Sequence, residues 1–357
     1  MRKVFFQLLR LGLGFGTSKD AEIPNGVDWE AVYQLASEQS VVGLMLNGID
    51  CLPLEQRPPK LLLLQWIGEV QMVEQNNHLL NKELAEFASL SKSAGCEYLV
   101  VKGQTVGCLY SKPDLRQSGD IDFLIHGGDE CKENFSQVLN VEIPKMTEYE
   151  VGFDRNDIRY ELHTSLRSWA KKEHQKVWNA LIEKEWEKEH YVEIEGVKVR
   201  TLSPMMNAVY IFIHLFFHFM REGVSLRQFC DWAMVLHHYK DEIDKDALLL
   251  MLLDLDLFDA YCAFGTILVD KLGLPLRELP VPIGEEDRKW QGKILDDVFK
   301  GGNFGSLNHK AHSMWKYKME TMGLAMKNSF KYYRLCPSEV GGMITRLVKG
   351  NMKILLK

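Results

Sequence analysis

The sequence predicts an α+β protein, a mixed β-sheet core flanked by N-terminal and C-terminal helical regions. Three observations carry this. Residues 1–94, and the chain from Ser203-Pro204 onward, space their apolar residues with the helical period. Between them the period drops to two, most clearly where Ile121, Phe123 and Ile125 alternate with Asp120, Asp122 and Leu124. Finally, 357 residues are too many for one ordinary core, so several packed parts are expected. The expected division is a helical region over 1–94, a core over 95–200 and a helical domain with a basic tail over 201–357.

Trp29, Val32, Tyr33, Leu35 and Ala36 have helical spacing, with Asp28 placed to cap them. Pro53, Pro58 and Pro59 mark a connection. A long helix follows over about Lys60 to Lys92, with Leu80, Leu84 and Phe87 on one stripe and Gly95 as its stop. Tyr98-Leu99-Val100-Val101 reads as a short buried strand that ends at Lys102-Gly103. Gln104 to Tyr110 reads as a short helix, and Cys131 to Leu139 as another. Tyr149 to Phe153 and Ile158 to His163 read as a hairpin around Asp154-Arg155-Asn156-Asp157, and Tyr191 to Arg200 as a second around Glu195-Gly196.

A composition of 46% hydrophobic and 26% charged residues excludes disorder, collagen and coiled coil as the whole answer. Residues 95–200 carry 15 basic and 20 acidic side chains, which argues against binding duplex nucleic acid. The seven cysteines show no zinc-like spacing, and their odd number argues against a full disulfide framework, so a cytoplasmic protein is expected. Met1-Arg2-Lys3 followed by Val4-Phe5-Phe6 imitates a signal peptide, but Gln7 and Arg10 interrupt the apolar run. Met205 to Met220 is apolar yet short for a bilayer and carries His214 and His218, so a buried helix is expected.

Gly119-Asp120-Ile121-Asp122-Phe123 is the chemically informative stretch. On a strand, Asp120 and Asp122 point to one side, roughly 6–7 Å apart at Cα. Paired carboxylates repel unless a cation lies between them, and their hard oxygens suit Mg²⁺. On the later strand Arg159, Glu161 and His163 share one face, so Glu161 becomes a third carboxylate if the two strands are neighbours. Three carboxylates and two metal ions can clamp an in-line phosphoryl displacement. Asp-x-Asp also arises by chance. Asp254 and Asp256 form a second pair, in Leu-rich sequence that reads as a solvated helix end.

A strand, Lys102-Gly103, a short helix, a turn and then Asp-x-Asp resembles the nucleotidyltransferase superfamily that includes DNA polymerase β and the aminoglycoside nucleotidyltransferases. More closely, Val101-Lys102-Gly103, Leu109-Tyr110, Leu115-Arg116, Gly119-Asp120-Ile121-Asp122 and Glu161-Leu162-His163 look like the bacterial uncharacterised nucleotidyltransferase family. Weaker matches continue through His214, His218, Leu226-Arg227, Asp231-Trp232 and Gly301 to Gly305, so the likeness spans about residues 30 to 335. It implies a nucleotidyltransferase-type fold and a reaction moving a nucleoside monophosphate from an NTP, ATP first among them, to a hydroxyl.

The same resemblance implies that Asp120, Asp122 and Glu161 hold Mg²⁺ or Mn²⁺, with Glu161 helping to activate the acceptor. It implies that Gly103 lets the triphosphate approach backbone N–H groups, beside Gly119, and that Lys102 or Arg116 neutralises phosphate. Gln104 stands where the superfamily usually has Ser, which puts the hydroxyl contact to the triphosphate in doubt. The plainer reading of Arg116 is a surface ion pair with Asp114. His163 either orients Glu161, touches substrate or is structural.

His214, His218 and Glu222 fall on one helix face. They read as a polar seam lining the nucleotide cleft, as a structural set or as a metal site, the last disfavoured because Leu215 follows the first His. Gly12, Gly14 and Gly16 imitate a dinucleotide loop without its strand. Gly301 to Gly305 reads as a loop between helices. Residues 310–357 carry 10 basic and 2 acidic side chains with Trp315, Tyr317, Phe330, Tyr332 and Tyr333. They form a solvated helix face or contact an anionic surface. The acceptor is expected to be a small molecule or a protein hydroxyl. The competing function is a nucleotide-binding or scaffold protein without turnover, accessory to polysaccharide or peptide biosynthesis.

Overall fold

Two glycines let the first helices meet. α1 (Arg2–Leu13) ends at Gly14, whose φ of 81° is the left-handed cap that glycine adopts without strain. The Gly12 to Gly16 run is therefore a helix end and its cap, not a dinucleotide loop. α2 (Trp29–Glu38) follows Asp28, whose Oδ1 accepts from the Ala31 N–H at 3.0 Å. α3 (Val42–Asp50) crosses α1 so closely that a Cβ on Gly12 would lie 1.9 Å from the Leu44 carbonyl oxygen. A Cβ on Gly48 would lie 2.0 Å from that of Leu8.

The computed structural model describes residues 1–17, 19, 21–145, 150–302 and 314–342. Tyr149, Asn303 to Gly305, and the stretch Ile344-Thr345-Arg346-Leu347-Val348-Lys349 lie outside them, as do the side chains of Trp315 and Tyr317.

α4 (Lys60–Ser91) is the long helix the sequence predicts, opened by Pro58-Pro59 and stopped before Gly95, whose φ is 66°. Its stripe of Leu80, Leu84, Phe87 and Ala88 covers one face of the sheet. β1 (Glu97–Val101) leads into α5 (Gly103–Gly107), shorter than the expected Gln104 to Tyr110. β2 (Asp120–His126), α6 (Gly128–Leu139), β3 (Glu150–Arg155) and β4 (Ile158–His163) complete the sheet. Strand order is β1-β2-β4-β3, with β2 parallel to β4 and the outer pairs antiparallel. The Phe87 ring centroid lies 5.2 Å from that of Tyr98, 4.8 Å from Phe123, 5.9 Å from Phe135 and 5.8 Å from Tyr160. The even-numbered positions of β2, Asp120 and Asp122 among them, are left to the opposite face.

α7 (Lys172–Trp186) was not among the predicted elements. Its apolar residues are few, and its abundant charges resemble a solvated loop, yet Trp178 is wholly buried. β5 (Tyr191–Ile194) and β6 (Val197–Arg200) form the second hairpin. The chain then runs through α8 (Pro204–Arg221), α9 (Leu226–His238), α10 (Lys245–Asp254), α11 (Phe258–Ile267), α12 (Glu285–Gly301) and α13 (Met314–Tyr332). Asp254 is the last residue of α10, the helix end the sequence suggested. Among the described residues, no helix is long and apolar enough to cross a membrane. Among the described residues, none of the seven cysteines forms a disulfide.

The chain forms two compact units. One comprises Met1–Tyr33, Val41–Ser168 and Leu181–Asn207, and so contains the four-stranded sheet. The other comprises the described residues of 34–40, 169–180 and 208–357. In its interior the Phe212 ring packs against those of Trp232, Tyr261 and Phe264, edge-on to the last two. A buried carboxylate, Glu339, accepts from the Ala170 and Lys171 N–H groups at 2.7 and 3.2 Å, with His174 Nδ1 at 2.9 Å.

Candidate active site

The site grows from strand register. In the parallel β2–β4 pair, Asp120 stands opposite Arg159, Asp122 opposite Glu161 and Leu124 opposite His163. Directly paired residues of neighbouring strands share a face, so Glu161 joins the two aspartates as the spacing suggested. Ligand atoms of Asp122, Glu161 and His163 all lie within 4.8 Å of one another. His163 Nε2 is 3.0 Å from Asp122 Oδ1 and 3.9 Å from Glu161 Oε2, while its Nδ1 is 3.6 Å from Glu150 Oε2. His163 is thus both an Asp122 partner and a third potential ligand, which its sequence context left open.

Lys102 closes the other side. Its Nζ lies 2.8 Å from Asp122 Oδ1. Its backbone, with φ 59° and ψ −149°, occupies a region that residues with a Cβ rarely adopt, at a cost of about 1–3 kcal/mol. Strain of this size persists where the surroundings over-determine it. Gly103, next along, has φ 46°, and a Cβ there would come 3.3 Å from the Asp120 carbonyl oxygen. The β1–α5 turn is therefore packed directly on the strand carrying the acids.

The charges are unevenly matched. Burial opposes ionisation of Asp122, but Lys102 and His163 outweigh it and hold the carboxyl well below the usual range. Glu161 goes the other way: burial first, then the charges of Asp122 and Asp120, against the relief from Lys102, push it up to about 8. Two carboxylates whose ionisation is driven apart in one small space suit a divalent cation, and their oxygens are hard donors of the kind Mg²⁺ prefers. The chain's own donor set therefore fits a metal.

The remaining predicted residues have their own settings. Arg116 is 3% exposed and donates to the Ser118 hydroxyl at 2.5 Å, so a surface ion pair with Asp114 is not its setting. Asn77 of α4 holds this stretch by donating to the carbonyls of Asp114 and Arg116, both at 2.7 Å. Gly119 is exposed, with nothing within 4 Å of a Cβ built on it. Gln104 turns to α4, donating to Asn81 Oδ1 at 2.6 Å. His214 and His218 belong to the second unit, where their ring centroids lie 4.2 Å apart with the planes tilted by 52°, and His218 Nδ1 lies 3.3 Å from Glu222.

One supporting residue escaped the sequence reading. Glu83, buried within the apolar stripe of α4, accepts from the Tyr160 hydroxyl at 2.8 Å and from Asn156 at 2.9 Å, and it pairs with Arg155. These groups belong to β4 and its hairpin turn, so Glu83 fixes the strand that carries Glu161. A carboxylate three residues after Leu80 and four before Phe87 was the available signal.

The pattern of the family described as "uncharacterised nucleotidyltransferase" matches residues 25–272, more than half of the chain. The protein is a member of that family. The match spans the Lys102-Gly103 turn, the Asp-x-Asp strand and Glu161. Two solved structures are similar at lower levels. An antigenic nucleotidyltransferase-like protein from Paracoccidioides brasiliensis is 14% identical, with a TM-score of 0.28 over 46% of this chain and 75% of that one. JHP933 from Helicobacter pylori is 14% identical, with a TM-score of 0.29 over 72% of this chain and 95% of that one. No curated protein matches the sequence. Membership agrees with the mixed sheet and flanking helices of this nucleotidyltransferase-type fold.

Proposed function

We propose that this nucleotidyltransferase family member moves a nucleoside monophosphate from an NTP, ATP first, to a hydroxyl of a small molecule or protein and releases pyrophosphate. The observation that carries the reading is the cross-strand pair of Asp122 and Glu161, two carboxylates on one face beside Asp120. Asp120, Asp122 and Glu161 would hold Mg²⁺ or Mn²⁺, which when bound supplies the positive charge that stabilises the transferring phosphoryl group. Glu161, already reluctant to ionise, suits the task of taking the acceptor's proton. His163 keeps the Asp122 carboxylate aimed. Lys102 neutralises charge at the β1–α5 turn, and Gly103 leaves the backbone there open to the triphosphate.

Gly119, Arg116, His214 and His218 remain nucleotide-binding candidates on the strength of the resemblance. Arg116, being buried and bonded to Ser118, would act by shaping the segment before Gly119. The excess of acid in residues 95–200 supports an acceptor other than duplex nucleic acid. Seven cysteines outside any disulfide support a reducing compartment, the cytoplasm. The basic stretch over 310–357 would be a weak contact for an anionic surface.

The test is thermal stability with each NTP, with and without Mg²⁺, followed by transfer of label from α-³²P-NTP into lysate. A metal-dependent shift with one preferred NTP is expected, and Asp120→Asn and Glu161→Gln should abolish transfer. Absence of any shift would leave the scaffold reading in its place.

A further inference from the structure

Arg159 lies on β4 two residues before Glu161, so both side chains leave the same face of the strand. Across β2 it stands opposite Asp120, and across β3 opposite Asp154. Glu161 stands opposite Gly152 of β3, which offers it no side chain. The guanidinium fills that gap. A Cβ built on Gly152 would lie 1.9 Å from Arg159 Nη2 and 2.4 Å from Cζ. Gly152 has no positive φ, so the backbone conformation does not call for glycine there. The room it leaves seats the Arg159 guanidinium over β3, at the position across from Glu161.

An exposed ion pair is the simpler account. Arg159 Nη1 is 3.4 Å from Asp154 Oδ1, with the side chains 49% and 70% exposed. Such a pair contributes about 0–1 kcal/mol and needs no glycine under the guanidinium. The strand order adds a second point. Lys102 approaches the acids from the β1 side and is nearly buried against Asp122. Arg159 approaches from the β3 side and is half exposed. The two cations therefore flank the carboxylates, and the outer one is open to a ligand.

We propose that Arg159, seated on Gly152, binds an anionic group of the acceptor, so that the acceptor is a hydroxyl compound that also carries a phosphate or carboxylate. This rests on the proposed transfer reaction and on Glu161 as its base. The acceptor oxygen bonds to the α-phosphorus, the bond from that phosphorus to the bridging oxygen breaks, pyrophosphate leaves, and the hydroxyl proton passes to Glu161. A planar guanidinium grips phosphate or carboxylate with two parallel hydrogen bonds. Two residues along a strand span about 6–7 Å, so the anion lies only a few bonds from the reacting hydroxyl.

The test has a binding arm and a turnover arm, each on wild type, Arg159→Gln and Gly152→Ala. Gly152→Ala keeps the arginine but evicts it from its seat, and Arg159→Gln serves if that variant fails to fold. In the binding arm, thermal shift is read without nucleotide using glycerol, glycerol 3-phosphate and inorganic phosphate. Both phosphates should stabilise wild type, glycerol should not, and both variants should lose the effect. In the turnover arm, pyrophosphate release with Mg²⁺ and ATP should favour glycerol 3-phosphate over glycerol, and glucose 6-phosphate over glucose, about tenfold or more. The variants should lose that preference while keeping the Mg²⁺–ATP shift. Equal response of wild type to the members of each pair, or an unchanged preference in the variants, overturns the proposal. Lack of an Mg²⁺–ATP shift in wild type would instead strike the transfer reaction, and the binding arm would still decide whether Arg159 holds an anion.

Discussion

Nζ of Lys102 lies 2.8 Å from Oδ1 of Asp122, an ion pair with side-chain exposures of only 13% and 3%. The ammonium approaches the carboxylate proposed above as a metal ligand. Removing it takes away the ammonium charge and leaves the buried anion to the His163 contact. Lys102→Met should therefore destabilise metal-free protein by about 3–5 kcal/mol, the usual result of breaking a buried pair from one side. Mg²⁺ should recover more of that loss in the variant than it adds to wild type. Urea unfolding with EDTA and with Mg²⁺ measures both, and an identical loss in the two conditions would contradict a shared position for ammonium and metal.

The raised pKa of Glu161 gives metal-free protein a pH signature. Its folded-state value, about 8, exceeds the unfolded reference of 4.5. The folded form then binds more protons than the unfolded one between those values. Stability is full below about 4.5 and is lost as pH rises toward 8. Solvent reaches this side chain, so the loss is about 1 kcal/mol. Denaturation midpoints in EDTA should fall from pH 5 to 8 in wild type and stay level in Glu161→Gln. Parallel pH profiles would contradict the assignment.

Glu83 offers a test of positioning. Glu83→Ala leaves the Tyr160 hydroxyl, Asn156 and Arg155 without their shared acceptor. A loss of about 3–5 kcal/mol is expected, in line with other buried pairs broken on one side. If the variant folds, Mg²⁺ binding by calorimetry should weaken, because β4 no longer holds Glu161 in register with Asp122. Unaltered Mg²⁺ affinity would make Glu83 purely structural.

Gly48 tests the helix crossing. The Cβ of alanine would stand 2.0 Å from the Leu8 carbonyl oxygen, and backbone on both sides must move. Gly48→Ala should cost about 1–3 kcal/mol through overpacking. Gly68, which has nothing within 4 Å of its added Cβ, is the control, and Gly68→Ala on the α4 surface should stabilise slightly by the helix preference of alanine. Equal midpoints for the two variants would contradict the close crossing.

The sequence by itself determined the parts with strong local periodicity. The stripe of α4, the alternation of β2 and the left-handed turns at Asn156-Asp157 and Glu195-Gly196 all follow from residue order, because burial and φ preference act within a few residues. It also selected Asp120, Asp122 and Glu161, since period two fixes which side chains share a face. Tertiary structure decided what no local pattern encodes. Register between β2 and β4 put Asp122 opposite Glu161 and His163 within bonding distance of Asp122. The β1–α5 turn carried Lys102 onto the same carboxylate, Asn77 reached across from α4 to the Arg116 segment, and the missing side chain of Gly152 made a seat for Arg159. Each of these joins residues distant in sequence, and such contacts form only when the whole sheet and its covering helix are assembled.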